Sequence, residues 1–232
     1  MPPTKKTNMV RCSRFMTGRI KLLLLCALLA ALAGTAPAQD MDNLKARAAS
    51  GDKTAMRTLA DAYFENQDFA QAIPWYEKAA KGGDRKAQTS LGLIYYRGYG
   101  VEKNLSLALK WWRYAALQND PGAQNNLGNL YFNGEGVRQD YVEAARWYRE
   151  AARRGHIQAQ WNLGMMYFDG KGVEKNIPQA YYLTRLAALQ GDDDAAAMLN
   201  RIAPYLTAEQ IRQADARADD WLKSGKKIWQ EE

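Results

Sequence analysis

Residues 121–156 read PGAQNNLGNLYFNGEGVRQDYVEAARWYREAARRGH, and this stretch decides the fold because the sequence around it repeats it at an offset of 36. The repeated features within it are Ala123, Leu127-Gly128, Tyr131 and the step Gly134-x-Gly136-Val137. Self-similarity at a fixed period of this size is typical of stacked-repeat proteins. We therefore predict full units at about 85–120, 121–156 and 157–192, and a shortened unit at about 54–84 that lacks four loop residues.

Each unit is predicted to form two helices. In the quoted unit, apolar residues recur at helical spacing from Ala123 to Tyr131, and Gly134 is suited to end that helix. Asp140 then stands where a side chain can cap the second helix. Similar caps are predicted at Asn104 and Asn176 for the second helices, and at Asp52, Asp84, Asp120 and Asp192 for the first helices. The only histidine, His156, occupies such a position, so we interpret it as a cap.

The flanks are predicted to close the two ends of the stack. Leu44–Gly51 is expected to be the second helix of a truncated leading unit. Residues 193–222 are expected to form a C-terminal cap, in which Thr207 and Gln210 make a capping box. Residues 223–232 are predicted to be a flexible tail.

The repeated pattern, A-x-x-x-L-G-x-x-Y-x-x-G-x-G-V-x-x-[DN]-x-x-x-A-x-x-W-Y-x-x-A-A-x-x-G, resembles the Sel1-like repeat, a relative of the tetratricopeptide repeat. The resemblance covers nearly all of residues 41–222, with local departures at Leu183-Thr184 and at Asn119. It implies an all-α, right-handed α-solenoid of helix-turn-helix repeats in residues 39–222. It also implies that the first helices line a concave groove that engages a protein or peptide partner.

Residues 1–38 have the features of a cleaved secretory signal peptide. A basic region ends at Lys21, the apolar run Leu22–Ala33 follows, and Ala36-Pro37-Ala38 forms a small-residue cleavage site. The apolar run has 12 residues, whereas a membrane-spanning helix needs about 20. We therefore expect cleavage after Ala38 and a periplasmic or secreted protein. An uncleaved anchor is the alternative, and Met16 is a second possible start.

Charge and cysteine content disfavour several function classes. The net charge of +7 includes six bases of the leader, and without them 26 bases face 25 acids. Nucleic-acid binding rests on many clustered phosphate contacts, so it is not expected. Both cysteines, Cys12 and Cys26, lie in the leader, which leaves the predicted mature chain without a thiol. We therefore expect no metal, no cofactor and no enzymatic activity, and we interpret the Gly-x-Gly steps as turns.

Partner binding is predicted on the first helices, at positions that packing between helices does not use. Asn125, Asn129 and Asn133 place three amides at intervals of four residues, which suits the backbone of an extended peptide. Trp161, Met165 and Phe168 of the next unit suit an apolar anchor. The complete predicted set is Arg57, Tyr96, Arg97, Asn125, Asn129, Phe132, Asn133, Trp161, Met165, Phe168 and Asp169.

An alternative is left open for part of this set. The aromatic residue after each repeated tyrosine itself recurs, at Phe64, Tyr96, Phe132 and Phe168, so these rings could simply pack between repeats. The asparagines and Trp161 do not recur in this way and are the better candidates for ligand contact.

The function predicted from these features is an exported, non-catalytic adaptor or scaffold of the cell envelope. The alternative is a secreted protein that acts on a host or on cell-wall material. A cysteine-rich branch of the resembled family is associated with penicillin binding, but each of its repeats carries a cysteine pair. The predicted mature chain has none, which argues against that activity.

Overall fold

The computed structural model describes residues 40–225, and these residues form eleven α-helices, one short 3-10 helix and no β-strand. The predicted signal peptide, its cleavage site after Ala38 and residues 226–232 of the predicted tail lie outside the described residues. Within residues 40–225, no helix has the length and apolar character needed to cross a membrane.

The helices follow one another as predicted pairs. They are α1 (residues 40–49), α2 (Lys53–Glu65), α3 (Phe69–Lys81), α4 (Arg85–Arg97), α5 (Leu105–Leu117), α6 (Pro121–Asn133), α7 (Tyr141–Arg153), α8 (Ile157–Asp169), α9 (Ile177–Ala188), α10 (Asp193–Ile202) and α11 (Ala208–Lys223), with the 3-10 helix at Ala203–Tyr205. Each first helix packs most extensively on the second helix of its own unit, and that second helix packs on the next unit. This arrangement confirms the predicted all-α solenoid.

The predicted caps are confirmed in every unit. Asp140 accepts a hydrogen bond from the backbone N–H of Glu143 at 3.0 Å, and Nδ1 of His156 accepts one from the N–H of Ala159 at 3.3 Å. Gly134 ends α6 with a φ of 73°, and Asn119 adopts a φ of 62° where the other units place glycine. A good cap contributes about 1 kcal/mol, so the caps fix where each helix starts.

Glycine makes room for an aromatic ring inside two of the three full units, residues 85–120 and 121–156. A Cβ atom on Gly128 would lie 2.5 Å from the ring of Tyr148, and one on Gly92 would lie 2.3 Å from the ring of Trp112. Side-chain carbons do not approach so closely, and only glycine therefore lets the second-helix aromatic lie flat against the first helix. From this position, the Tyr148 hydroxyl reaches the side chain of Asn129 on α6.

Buried glutamines connect each unit to the next. Gln88, Gln124 and Gln160 are almost fully buried at the starts of α4, α6 and α8. Their Nε2 atoms donate at 3.1–3.2 Å to backbone carbonyls eight residues earlier, those of Ala80, Ala116 and Ala152. Because a buried amide is costly unless it is hydrogen-bonded, these bonds fix how consecutive pairs of helices stack.

At each end of the stack, a helix that lies outside the four units packs against the end of the solenoid. The leading helix α1 includes residue 40, so it starts earlier than the predicted Leu44, and its Ala48 packs with Ala55 and Leu59 of α2. At the other end, Thr207 and Gln210 form the predicted capping box of α11. That helix packs against α9 and buries the apolar stripe Ala214, Ala218 and Trp221.

Candidate functional site

A cleft of about 240 Å³ lies between α6 and α8, the first helices of the third and fourth units. It is lined by Asn129, Phe132, Asn133, Tyr148, Asn162, Met165, Met166, Asp169 and Lys171. Five of the predicted partner-binding residues therefore meet in one place, namely Asn129, Phe132, Asn133, Met165 and Asp169. Their role in binding stays a prediction, but the structure shows that they share one surface.

Tyr148 reaches the cleft from α7, the second helix of the third unit. Its ring passes Gly128, and its hydroxyl donates a hydrogen bond to Oδ1 of Asn129 at 2.7 Å. Burial raises the pKa of Tyr148, so the hydroxyl keeps its proton at neutral pH and remains a donor. The hydrogen bond therefore sets the orientation of the Asn129 amide, with its oxygen turned toward Tyr148.

Asn162 links α8 to α6 through the same amide oxygen. Its Nδ2 donates to Oδ1 of Asn125 at 3.3 Å and to Oδ1 of Asn129 at 3.4 Å. Within residues 40–225, Nδ2 of Asn129 and Oδ1 of Asn162 have no hydrogen-bonding partner. Two neighbouring helices thus place one amide donor and one amide acceptor side by side in the cleft.

The walls of the cleft are apolar and its mouth carries two charges that compensate each other. Phe132, Met165 and Met166 supply the apolar surface. Nζ of Lys171 lies 3.0 Å from Oδ2 of Asp169 and 6.0 Å from the centre of the Phe132 ring. The lining consequently offers neutral hydrogen-bonding groups and apolar side chains, with no net charge.

Three of the remaining predicted residues contact their own neighbours rather than the cleft. Asn125 is only 5% exposed, because its side chain turns toward Asn162. Arg57 forms ion pairs with Asp61 at 2.7 Å and with Asp84 at 3.6 Å, two units away from the cleft. Trp161 packs against the C-terminal part of the core.

Tyr96 and Arg97 lie at the end of α4, one unit before the cleft. The hydroxyl of Tyr96 donates to Oε2 of Glu135 at 2.9 Å, and burial followed by this contact raises the pKa of Tyr96. Arg97 is exposed and lies over the Tyr96 ring, with 5.5 Å between its guanidinium carbon and the ring centre.

Two of the four recurring aromatic residues pack between repeats, because Phe64 contacts Tyr99 of the next unit and Phe168 contacts Tyr205 of the C-terminal cap. The other two contact rings of their own unit, Tyr96 with Trp112 and Phe132 with Tyr141, and all four pairs of ring centres are 5.2–5.9 Å apart. All four rings keep part of their surface exposed. Packing and ligand contact are therefore compatible at these positions.

The middle residue of each Gly-x-Gly step has a role that its turn geometry alone does not indicate. Each middle residue contacts an aromatic side chain near the end of the first helix of the previous unit. Tyr99 contacts the ring of Phe64, Glu135 accepts a hydrogen bond from Tyr96, and Lys171 lies over the ring of Phe132. The steps are turns, as predicted. Their middle residues additionally close the groove at the boundary between two units.

Sequence reasoning missed four residues that line the cleft, Tyr148, Asn162, Met166 and Lys171. Tyr148 belongs to the Trp-Tyr pair of the repeated pattern, which does not mark it as a cleft residue. Asn162 and Asn126 are asparagines at the same repeat position, and this recurrence was the available signal. Lys171 is the variable residue of a glycine step, where no pattern marks a ligand contact.

Comparisons with known proteins agree with this architecture. The family model described as Sel1 repeat matches residues 59–84, 85–120, 121–156 and 157–192, more than half of the chain. A protective antigen of uropathogenic Escherichia coli strains, whose crystal structure displays an SLR fold, is 31% identical with a TM-score of 0.72. That match covers 84% of this chain and 45% of the antigen.

Two further relatives extend the comparison. A Sel1 repeat protein from Oxalobacter formigenes is 30% identical with a TM-score of 0.65, and the match covers 71% of this chain and 49% of that protein. HcpC of Helicobacter pylori, a protein whose name contains the word beta-lactamase, is 39% identical to this chain over 57 residues. These residues are 25% of this chain and 20% of HcpC. The chain thus spans a fifth of this curated relative and just under half of each solved structure. On the family match, this chain belongs to the Sel1 repeat family.

Proposed function

We propose that this protein is an exported, non-catalytic adaptor that binds an extended peptide segment of a partner protein in the cleft between α6 and α8. One observation carries the proposal. Oδ1 of Asn129 accepts hydrogen bonds from the hydroxyl of Tyr148 and from Nδ2 of Asn162, and these bonds orient both amides. The other atoms of the two amides, Nδ2 of Asn129 and Oδ1 of Asn162, have no hydrogen-bonding partner within residues 40–225.

An amide donor next to an amide acceptor complements a peptide group, which offers one C=O and one N–H. Each such hydrogen bond contributes about 0.5–1.5 kcal/mol, whichever side chain the ligand residue carries. The contacts would therefore favour extended backbone over any one sequence, as is usual where peptides are bound along a groove. Because the amides are already oriented, little side-chain entropy is lost when the ligand binds.

Family membership supports a scaffold role. Sel1 repeats typically mediate protein interactions, and Sel1-repeat solenoids are generally non-catalytic. The match to HcpC covers too little of that protein to bring a beta-lactamase activity to this chain. The lining of the cleft supports the same conclusion, since its amides, thioethers and aromatic rings suit binding better than bond cleavage.

The partner-binding part of the proposal is tested by site-specific crosslinking in the envelope fraction. A photoreactive residue at exposed position 133 should crosslink one defined protein, and the same residue at exposed position 200 on α10 should not. A peptide from the crosslinked protein is then titrated into the purified mature chain. We expect the double substitution Asn129→Ala with Asn162→Ala to weaken binding about thirtyfold, since two hydrogen bonds of about 1 kcal/mol each are lost.

The matched control is Asn200→Ala, which removes an exposed amide outside the cleft and should leave the affinity unchanged. Circular dichroism would establish that each variant keeps its helices. An unchanged affinity in the double variant, with the fold intact, would show that the amides do not bind the peptide.

Export is supported by the leader pattern in residues 1–38. Mass spectrometry of the protein from its native envelope should find Gln39 as the first residue. Residues before Gln39, or a lipid on the protein, would contradict a cleaved and anchor-free form.

A second candidate is a secreted protein that acts outside the cell on a host. The favouring observation is the 31% identity to a protein described as a protective antigen, a description that applies to that protein. Fractionation separates the candidates, because the adaptor should be recovered from the periplasm and the secreted effector from the culture medium.

A further inference from the structure

We infer that the cleft between α6 and α8 selects one aromatic side chain of the bound peptide. This inference rests on the proposed function, because it specifies what occupies the cleft while the peptide backbone contacts Asn129 and Asn162. The aromatic residue is expected to enter between Phe132 and Met165, beneath the ion pair of Asp169 and Lys171.

The size of the cleft fits one large side chain. Its volume is about 240 Å³, whereas an apolar cavity of about 150 Å³ is known to accommodate benzene. An aromatic ring with its linking methylene therefore fits with room for the adjacent backbone. An alanine or serine side chain would leave most of the apolar wall uncovered and would gain little from its burial.

The chemistry of the walls favours a ring over an aliphatic chain. Met165 and Met166 both line the cleft, but Met166 is only 1% exposed, so Met165 is the thioether available to an occupant. Thioether sulfur contacts the edges of aromatic rings favourably. Phe132 offers a further ring, which is itself held in place by Tyr141 at 5.2 Å between ring centres. Methionine side chains also adapt their shape, so phenylalanine, tyrosine and tryptophan can each be accommodated.

The charge of the lining favours a neutral occupant. The two charged groups at the cleft are Asp169 and Lys171, and they pair with each other at 3.0 Å. Tyr148 stays protonated and the three asparagines are neutral. A lysine, arginine, aspartate or glutamate side chain would lose hydration without finding an uncompensated opposite charge. A neutral aromatic residue meets no such penalty.

The inference is tested with three short blocked peptides, acetyl-Gly-Trp-Gly-amide, acetyl-Gly-Ala-Gly-amide and acetyl-Gly-Lys-Gly-amide. Each is titrated into the isotope-labelled mature chain, and binding is followed by amide chemical shifts in NMR spectra. The tryptophan peptide should bind about tenfold more tightly than the other two and should shift resonances of α6 and α8. Equal affinities for all three peptides would overturn the inference.

A filled cleft provides the second measurement. Met165→Trp places a ring in the cleft and should weaken binding of the tryptophan peptide about tenfold. Leu93 occupies the same repeat position in α4 and is exposed, so Leu93→Trp makes the matched change outside the cleft and should leave the affinity unchanged. Unchanged binding to Met165→Trp would contradict the inference.

Three further outcomes separate the alternatives. If the chain dimerises without peptide and Met165→Trp abolishes the dimer, a second copy fills the cleft and the inference is wrong. If Asn129→Ala with Asn162→Ala releases the crosslinked partner while no aromatic preference is found, the proposed function stands and only the aromatic selection fails. If aromatic peptides bind but that double variant keeps full affinity for the partner, the proposed function fails.

Discussion

The hydroxyl of Tyr148 on α7 donates to Oδ1 of Asn129 on α6 at 2.7 Å, so a core residue of one helix orients a groove residue of another. The first unit has the same relationship, in which Tyr76 donates to Asp61 at 2.7 Å. In the second unit Trp112 takes this place and donates to the backbone carbonyl of Thr89 at 3.1 Å. In these three units, the second-helix aromatic residue therefore binds a different polar atom of the first helix.

Replacing Tyr148 by phenylalanine should weaken peptide binding more than it weakens the fold. The variant keeps the ring against Gly128 but removes the hydroxyl that orients Asn129. We expect a loss of about 1 kcal/mol in the free energy of unfolding, measured by urea denaturation. The affinity for the crosslinked partner's peptide, measured by calorimetry, should fall severalfold.

The matched variant is Tyr76→Phe, which removes the equivalent hydroxyl from Asp61. It should lose a similar stability and retain full affinity, because Tyr76 lies outside the cleft. Equal loss of affinity in both variants would indicate a general effect of stability on binding.

Replacing Gly128 by alanine should destabilise the solenoid although alanine is the better helix former. The new Cβ would lie 2.5 Å from the Tyr148 ring and would force that ring away from α6. Overpacking of this kind costs about 1–3 kcal/mol, which exceeds the gain of about 1 kcal/mol in helix propensity. Thermal unfolding followed by circular dichroism would measure the net loss.

Gly122→Ala is the control within the same helix. There the new Cβ would meet only the carboxylate of Asp120, at 3.3 Å. This variant should unfold at a temperature close to that of the wild type, and a loss equal to that of Gly128→Ala would contradict the packing explanation.

His156 should make the stability of the fourth unit depend on pH. Burial lowers the pKa of His156 below its usual 6.5, although the carboxylate of Asp120 opposes the shift. The unfolded chain therefore takes up the proton more readily than the folded one. The stabilising contribution is complete above the unfolded pKa of about 6.5 and is lost as the pH falls through the lowered folded value.

Protonation also prevents Nδ1 from accepting the N–H of Ala159. His156→Asp, which installs the cap used by the other units, should therefore flatten the decrease in stability between about pH 7 and pH 5. Urea denaturation at pH 7 and at pH 5 would measure this decrease in stability. His156→Asn should flatten the decrease as well, because asparagine caps the helix and does not titrate between these pH values. A decrease that persists in both variants would show that another group is responsible.

Replacing Arg154 by glutamine should stabilise the protein. Gln118 and Gln190 occupy the equivalent positions and donate to the buried Oε1 atoms of Gln88 and Gln160 at 2.8 Å and 2.7 Å. Oε1 of Gln124 is buried without a hydrogen-bonding partner among the described residues. A donor there is worth about 1 kcal/mol. The contacts that Arg154 makes with Glu150 and with Oδ1 of Asn119 are exposed and contribute less.

The gain would appear as an increase of about 2–4 °C in the melting temperature. Arg154→Ala is the control, since it breaks the same ion pair but supplies no donor. If Arg154→Ala raises the melting temperature as much as the glutamine does, the buried acceptor is not the cause.

The order of the helices could be predicted because its determinants are local. A cap such as Asp140 acts on a backbone N–H three residues away, and a glycine such as Gly134 acts on its own φ angle. Because the sequence repeats every 36 residues, an inference made for one unit applies to the other units as well. The same argument identified His156 as a cap without any knowledge of its surroundings.

The composition of the cleft could be predicted only in part, because it depends on contacts between units. Spacing along α6 correctly grouped Asn129, Phe132 and Asn133, yet it also included Asn125, which the structure shows to be buried. Which face of α6 remains open depends on where Asn162 of the next unit reaches, and no spacing within α6 encodes that. The recurring Gln88, Gln124 and Gln160 were visible at the repeat offset and indicate a buried connection.

The residues that close each boundary of the groove come from two successive repeats, as with Lys171 over Phe132. A single repeat therefore encodes half of one boundary contact and half of the next. Duplicating or deleting one repeat would create a new junction while leaving the other boundaries chemically intact. The smallest segment that could be transplanted with the whole cleft is accordingly a tandem pair, and in this chain that pair is residues 121–192.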